Sequence, residues 1–248
     1  MSYFKYFQKV DYDTRGDGYT QKVVNLTHFA RIGTKYLDDV SFYSYYTIKD
    51  GYRPDNVSYE LYGTPDYYWT FFLVNQELKN AFDDWPKPSA DLKEFAETKY
   101  KNLAAISAPI GTQKFDDIAG KFIIGETVQG GVTGSLGIVR NKYPTLGYIE
   151  IEPVQGTFRF EGEGIYGIES QDFLTTSSIV SRAYAPRWHT DDSTGDQTIR
   201  RLAGTTPYTN YEWEYDKNIE RSKIRVIKPK FINEVVREFA REMQSKVI

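Results

Sequence analysis

The chain has 248 residues, 40% apolar and 26% charged, with a formal net charge of −3. That balance belongs to a globular protein long enough to bury a core, not to a disordered one. The weak negative charge offers a polyanion no attraction, so no nucleic-acid partner is expected. The absence of Cys removes disulfides, thiolate nucleophiles and Cys-based metal sites.

From the N-terminus, MSYFKYFQKVDYD has neither the apolar stretch nor the cleavage site of an export signal. No apolar run approaches the roughly 20 residues that cross a bilayer, so no membrane partner is expected. The chain carries 21 Tyr against 2 Met. Tyrosine covers apolar area while keeping a polar tip, which favours protein–protein contact surfaces. The texture divides the sequence into an arm and helix over 1–45, a strand–helix–helix unit with a following helix over 46–106, a β-rich block over 107–185, and a closing loop, strand and helix over 186–248.

In the second region, Tyr45–Lys49 has strand-forming residues and ends at the turn dipeptide Asp50-Gly51. Pro54 and Asp55 suit a first helical turn, Val57 and Leu61 share a helix face, and Gly63 is the expected stop. Thr64 and Pro65 open a second helix, on which Tyr68, Trp69, Phe72 and Leu73 form an apolar face.

The β-rich block contains an internal echo. Gly120–Gly130 and Gly156–Gly167 both read G-x-F, a short spacer, then G-E-x-(V/I)-x-G. Together with GSLGIVRNKYPTLGYIEIEPV and DFLTTSSIV, this gives five or six short strands and predicts a small antiparallel barrel or sandwich. At the C-terminal end, Ile224 and Val226 alternate with Lys223 and Arg225 in a short strand. After Pro229, the residues Ile232, Val235, Val236, Phe239, Ala240 and Met243 form one apolar helical stripe, suited to its own domain or to a neighbour. The fold class expected is therefore α+β, with the β block inserted between two parts of a mixed unit.

Sites for chemistry are sparse. Asp11-x-Asp13-x-Arg15-Gly16-Asp17 begins like a calcium loop but has Arg at the fifth position and Lys22 at the twelfth. His28 and His189 are the only histidines; His189 reads as part of a solvated loop. Glu126, Glu161 and Glu163 read as solvated hairpin ends rather than a hydrolase carboxylate pair. No phosphate loop or nucleophile elbow is present, and the basic run Lys223, Arg225, Lys228, Lys230 lacks interleaved stacking aromatics. No catalytic residue, metal, cofactor or small-molecule substrate is expected.

The stretch YTIKDGYRPDNVSYELYGTPDYYWTFFLVN resembles a LysM module over its first strand and two helices. It departs from the glycan-binding pattern where Gly51 is followed by Tyr52, Arg53 and Pro54, and no closing strand follows Asn75 directly. Through Arg53-Pro54-Asp55, Tyr62-Gly63-Thr64-Pro65, Tyr68-Trp69, Asn75, Asn25-Leu26-Thr27 with Arg31, and the strand-then-helix tail from Tyr211, the chain is similar to the LysM-like baseplate wedge subunit of T-even-type contractile-tail bacteriophages. The resemblance implies a non-enzymatic virion part, assembled in the host cytoplasm, that touches other wedge proteins and the sheath-initiating, lysozyme-like subunit. The alternative is a peptidoglycan-binding module of a tail-associated protein. Contact candidates are Tyr3, Phe4, Tyr6, Phe7, Tyr52, Arg53, Tyr67, Tyr68 and Phe71, with Ile232, Val235 and Phe239 of the terminal helix.

Overall fold

A computed structural model describes residues 3–27, 39–80, 83–110, 114–115 and 118–244. The chain forms two compact units, one from residues 1–89 with 218–248 and one from residues 90–217. It is a mixed α+β protein, as expected, with five α-helices among the described residues and a closed six-stranded barrel.

The first unit begins with a 3-10 turn, Tyr3–Tyr6, and a hairpin of β1 (Lys9–Tyr12) and β2 (Gln21–Val24). Residues 28–38, including His28 and Arg31, lie outside the described residues. Strand β3 (Tyr43–Thr47) then leads to α1 (Pro54–Tyr62), a 3-10 turn (Pro65–Tyr67) and α2 (Trp69–Val74). Local chemistry sets these boundaries. Pro54 needs no N–H partner at the first helical position, and the Asn56 carboxamide accepts the Arg53 N–H at 3.1 Å. Gly63 takes a left-handed φ of 70° and returns its N–H to Tyr59 O. The Ser58 hydroxyl donates to Thr64 O and accepts the Tyr67 N–H, tying α1 to the next turn.

The strand that closes this unit comes from the far end of the chain. β15 (Lys223–Ile227) pairs antiparallel with β3, from Lys223 opposite Thr47 to Ile227 opposite Tyr43. Helix α5 (Pro229–Gln244) follows, and its apolar stripe packs on its own unit with Trp69, Val74 and Ile227. The other face of the unit is filled by Ile48, Val57, Phe71, Leu78, Trp85, Ile224 and Val226.

The chain leaves the first unit within α3 (Ser89–Lys99) and returns to it within α4 (Asn210–Ser222). In the second unit, β4 (Leu103–Ser107) opens the barrel. After the short pair β5 (Pro109–Ile110) and β6 (Lys114–Phe115) come β7 (Thr127–Gly130), β8 (Leu136–Tyr143), β9 (Tyr148–Gln155), β10 (Gly164–Gly167) and β11 (Phe173–Ser181). The barrel closes in the order β10-β11-β4-β9-β8-β7 around Ile118, Val128, Val139, Ile149, Ile151, Ile165 and Leu174. A three-stranded sheet of β12 (Pro186–Asp191), β13 (Gln197–Thr198) and β14 (Thr205–Thr209) completes this unit.

Candidate protein-interaction surface

Tyr3, Tyr6, Phe7, Tyr67, Tyr68, Trp69 and Phe239 meet in one cluster of the first unit, while Tyr52, Phe71 and Phe72 belong to another. Trp69 and Phe239 lie 4.5 Å apart by ring centroid. Tyr3 sits 5.6 Å from Trp69 and 5.8 Å from Phe239, with Tyr6 at 5.7 Å from Trp69. Phe7, Tyr67 and Tyr68 are half-buried against the same cluster. The N-terminal segment is thus clamped to the terminal helix by ring edges and faces, with Phe4 the most exposed of its rings.

The candidates divide by burial. Phe71, Ile232, Val235 and Phe239 are all at most 4% exposed, so they fill the core and offer a partner no surface while the unit is folded. Tyr52 is half-buried; its carbonyl accepts the Trp85 indole N–H at 2.8 Å, and Lys49 lies over its ring. Tyr67 donates its hydroxyl to the Asn233 carboxamide. Arg53 is exposed and faces Asp55 at 3.2 Å. Side chains absent from the candidate set supply more exposed rings, Tyr45 and Tyr59 among them. Their signal was an aromatic at an outward position of a strand or helix whose alternate positions are core.

Asn75 and Tyr62 secure the closing strand. The buried Asn75 amide donates to Arg225 O at 2.9 Å and to Phe71 O at 2.8 Å, and its oxygen accepts the Arg225 N–H at 2.8 Å. Tyr62 donates its hydroxyl to Ile227 O at 2.9 Å, and burial raises its pKa, so it stays a donor at physiological pH.

In the second unit, Glu126 and Glu163 are not the solvated hairpin ends the sequence suggested. Both are buried, and each receives main-chain donors from two loops. Glu126 accepts the N–H of Ile123 at 2.6 Å and both the N–H and hydroxyl of Ser170 at 3.0 Å. Glu163 accepts the N–H of Val132, Thr133 and Arg159 at 2.8, 3.1 and 2.9 Å. Burial pushes the Glu163 carboxyl up, but these donors outweigh it and hold it below the ordinary value.

The sequence echo is therefore a structural two-fold. β7 and β10 pair antiparallel, and the glutamate preceding each strand holds the loop that follows the other. Gly130 and Gly167 occupy equivalent positions because a Cβ there would meet the opposing carboxylate oxygen at 2.7 and 2.8 Å. Two carboxylates saturated with main-chain donors build loops; they do not form an acid–base pair. Glu161, by contrast, is exposed.

His189 is likewise not in a solvated loop. It lies on β12, 2% exposed, and its Nδ1 has no hydrogen-bond partner among the described residues. Burial, with the Arg201 charge added, lowers its pKa, so the ring is neutral. The Asp13 carboxylate accepts the N–H groups of Gly18, Gly16, Arg15 and Asp17 and spends its acceptors on the hairpin loop. Among the described residues no cluster of His, Asp or Glu has the arrangement of a metal site, and no helix is long and apolar enough to cross a membrane.

Residues 2–110 match the family model described as base plate wedge protein 53. No curated protein matches the chain. The match spans the hairpin, β3, α1, α2 and α3 and ends just after β4, so most of the barrel lies beyond it.

Proposed function

We infer from residues 2–110, which match the baseplate wedge family model, that this chain joins wedge proteins and neighbouring wedges through protein–protein interfaces without catalysing a reaction. The likeness of residues 2–110 to that family supports a place in the virion tail as a structural component. The family match over the first unit's strand–helix–helix core carries that reading. The exposed rings of Phe4, Tyr45 and Tyr59, with the exposed Arg53, support it, because aromatic residues and Arg are enriched at interface anchors. Its partners are other wedge proteins and the sheath-initiating, lysozyme-like subunit, met during assembly in the host cytoplasm. On this reading β3, α1, α2 and β15 form a LysM-like docking scaffold, and the barrel is an added contact module.

Phage particles produced without the chain test the reading. Wedges should accumulate unjoined, and supplying the chain in trans should restore complete baseplates; complete rings without it would refute the joining role. The peptidoglycan-binding alternative, favoured by the strand–helix–helix–strand arrangement itself, is separated by a pull-down. Saturable retention on purified peptidoglycan, abolished in the Tyr52→Ala, Arg53→Ala double variant, would establish glycan binding in place of docking.

A further inference from the structure

The two-stranded sheet of the first unit has unlike edges. Ile48 donates its N–H to Ser222 O at 2.8 Å, and Lys228 donates to Phe42 O at 2.9 Å. In the observed register this parity turns the main chain of Ser44 and Tyr46 toward β15 and that of Tyr43, Tyr45 and Thr47 away from it. The outer edge of β15 is capped at three main-chain groups: Asn75 takes both of Arg225, and Tyr62 takes Ile227 O. The outer edge of β3 is open among the described residues. The main-chain groups of Tyr43, Tyr45 and Thr47 bond to no described residue outside the strand pair.

Soluble proteins blunt such an edge with Pro, Lys, a bulge or a covering element. β3, with the sequence YSYYT, has no Pro, no charge and a regular register. Its Tyr45 side chain is 74% exposed. The face that carries Tyr43, Tyr45 and Thr47 also carries Arg225 and Lys223, their cross-strand neighbours. Arg225 lies 5.7 Å from the Tyr43 ring centroid. Neither cation pairs with a carboxylate among the described residues.

We propose that the free edge of β3 accepts an extended segment of another baseplate protein, a segment with acidic side chains at alternate positions. It adds a third strand by main-chain pairing with Tyr43, Tyr45 and Thr47. Its acidic side chains lie on the face of Lys223 and Arg225. The added strand runs two strand spacings from β15, roughly 10 Å, which long acidic and basic side chains span from both sides. A second copy of β3 is a poorer occupant: pairing about a two-fold would bring two more cations to the same face. The proposal rests on the wedge-subunit reading, since it takes its partner from the baseplate.

Hydrogen exchange on the full chain, free and in purified baseplates, tests it together with two variants. The amides of Tyr43, Tyr45 and Thr47 should exchange at open rates in the free chain and at least tenfold more slowly in baseplates. Tyr45→Pro removes only an outward N–H, and Lys223→Glu, Arg225→Glu reverses the face. Both should melt within a few degrees of the parent, yet enter baseplates at least tenfold less. Unprotected β3 amides in baseplates that contain the chain would overturn this proposal and leave the wedge role standing. Parental incorporation of the folded variants would also overturn it, as would protection that grows with concentration in the isolated chain, which would assign the edge to a second copy. Absence of the chain from baseplates would sink the wedge reading and this proposal with it.

Discussion

The first unit and the barrel hold short elements together by opposite chemistry. In the first unit, aromatic rings from the N-terminal turn, α2 and α5 meet around Trp69 and Phe239, and one buried amide, Asn75, pins the closing strand. In the barrel, aliphatic side chains fill the centre while two buried carboxylates, Glu126 and Glu163, gather the loops at its rim. Aromatic packing buries large apolar area while leaving polar-tipped rings at the surface, which suits the proposed contact role of this unit. Carboxylate-held loops are fixed by directional, charge-assisted hydrogen bonds that set the shape of the barrel rim.

The largest test of that contrast is truncation at the ring cluster. Trp69→Ala or Phe239→Ala should cost about 3–5 kcal/mol in the first unit, read as a shifted denaturant midpoint. An effect below 1 kcal/mol would mean that the cluster is not the unit's core.

Next comes Glu163→Ala, which leaves the Val132, Thr133 and Arg159 donors without their acceptor. The barrel should lose about 3 kcal/mol, with the first unit's spectroscopic signals unchanged. The same site predicts a pH response. Its carboxyl is held below the ordinary value in the fold, so its contribution is complete above about pH 5 and lost as pH falls through the folded pKa. His189 acts earlier. Its folded pKa lies below the ordinary 6.5, so the unfolded chain takes up the proton first and stability declines as pH drops below that value. Acid titration of the second unit should therefore show two phases, with His189→Leu removing the upper and Glu163→Gln the lower; a single phase in the parent would contradict the assignment.

The smallest expected effect is at Arg53, whose exposed pair with Asp55 contributes about 0.5 kcal/mol or less. Arg53→Ala should leave melting unchanged while reducing incorporation into baseplates if this residue meets a partner; unaltered incorporation would remove it from the contact surface.

Much of the fold was legible where a pattern is local. The 3.6-residue stripe from Ile232 to Met243, the Pro54 start and Gly63 stop of α1, and the alternation at Ile224 and Val226 all appear as elements. What sequence order hides is long-range pairing. β15 is the strand that closes the strand–helix–helix unit, although no closing strand follows Asn75 along the chain. The helix expected to follow α2 is α3, which begins at Ser89, while Asn75 turns its side chain to Arg225. The terminal stripe itself did not say which body it covers; its burial against Trp69 and Val74 does.

The glutamates show the limit most clearly. A Gly-Glu pair at a hairpin end looks solvated, because charged residues at turns usually are. The echo G-E-x-(V/I)-x-G held the missing signal in its last glycine. Gly130 and Gly167 are small because a carboxylate from the facing repeat occupies the space. Two copies facing one another are visible only once β7 and β10 pair.

The most direct test of the central claim is the composition of purified phage baseplates, measured by quantitative mass spectrometry against the known wedge proteins. The account predicts this chain at a fixed whole-number ratio to them, retained through stringent washing. A chain absent from baseplates, or present at a variable substoichiometric level, would contradict it.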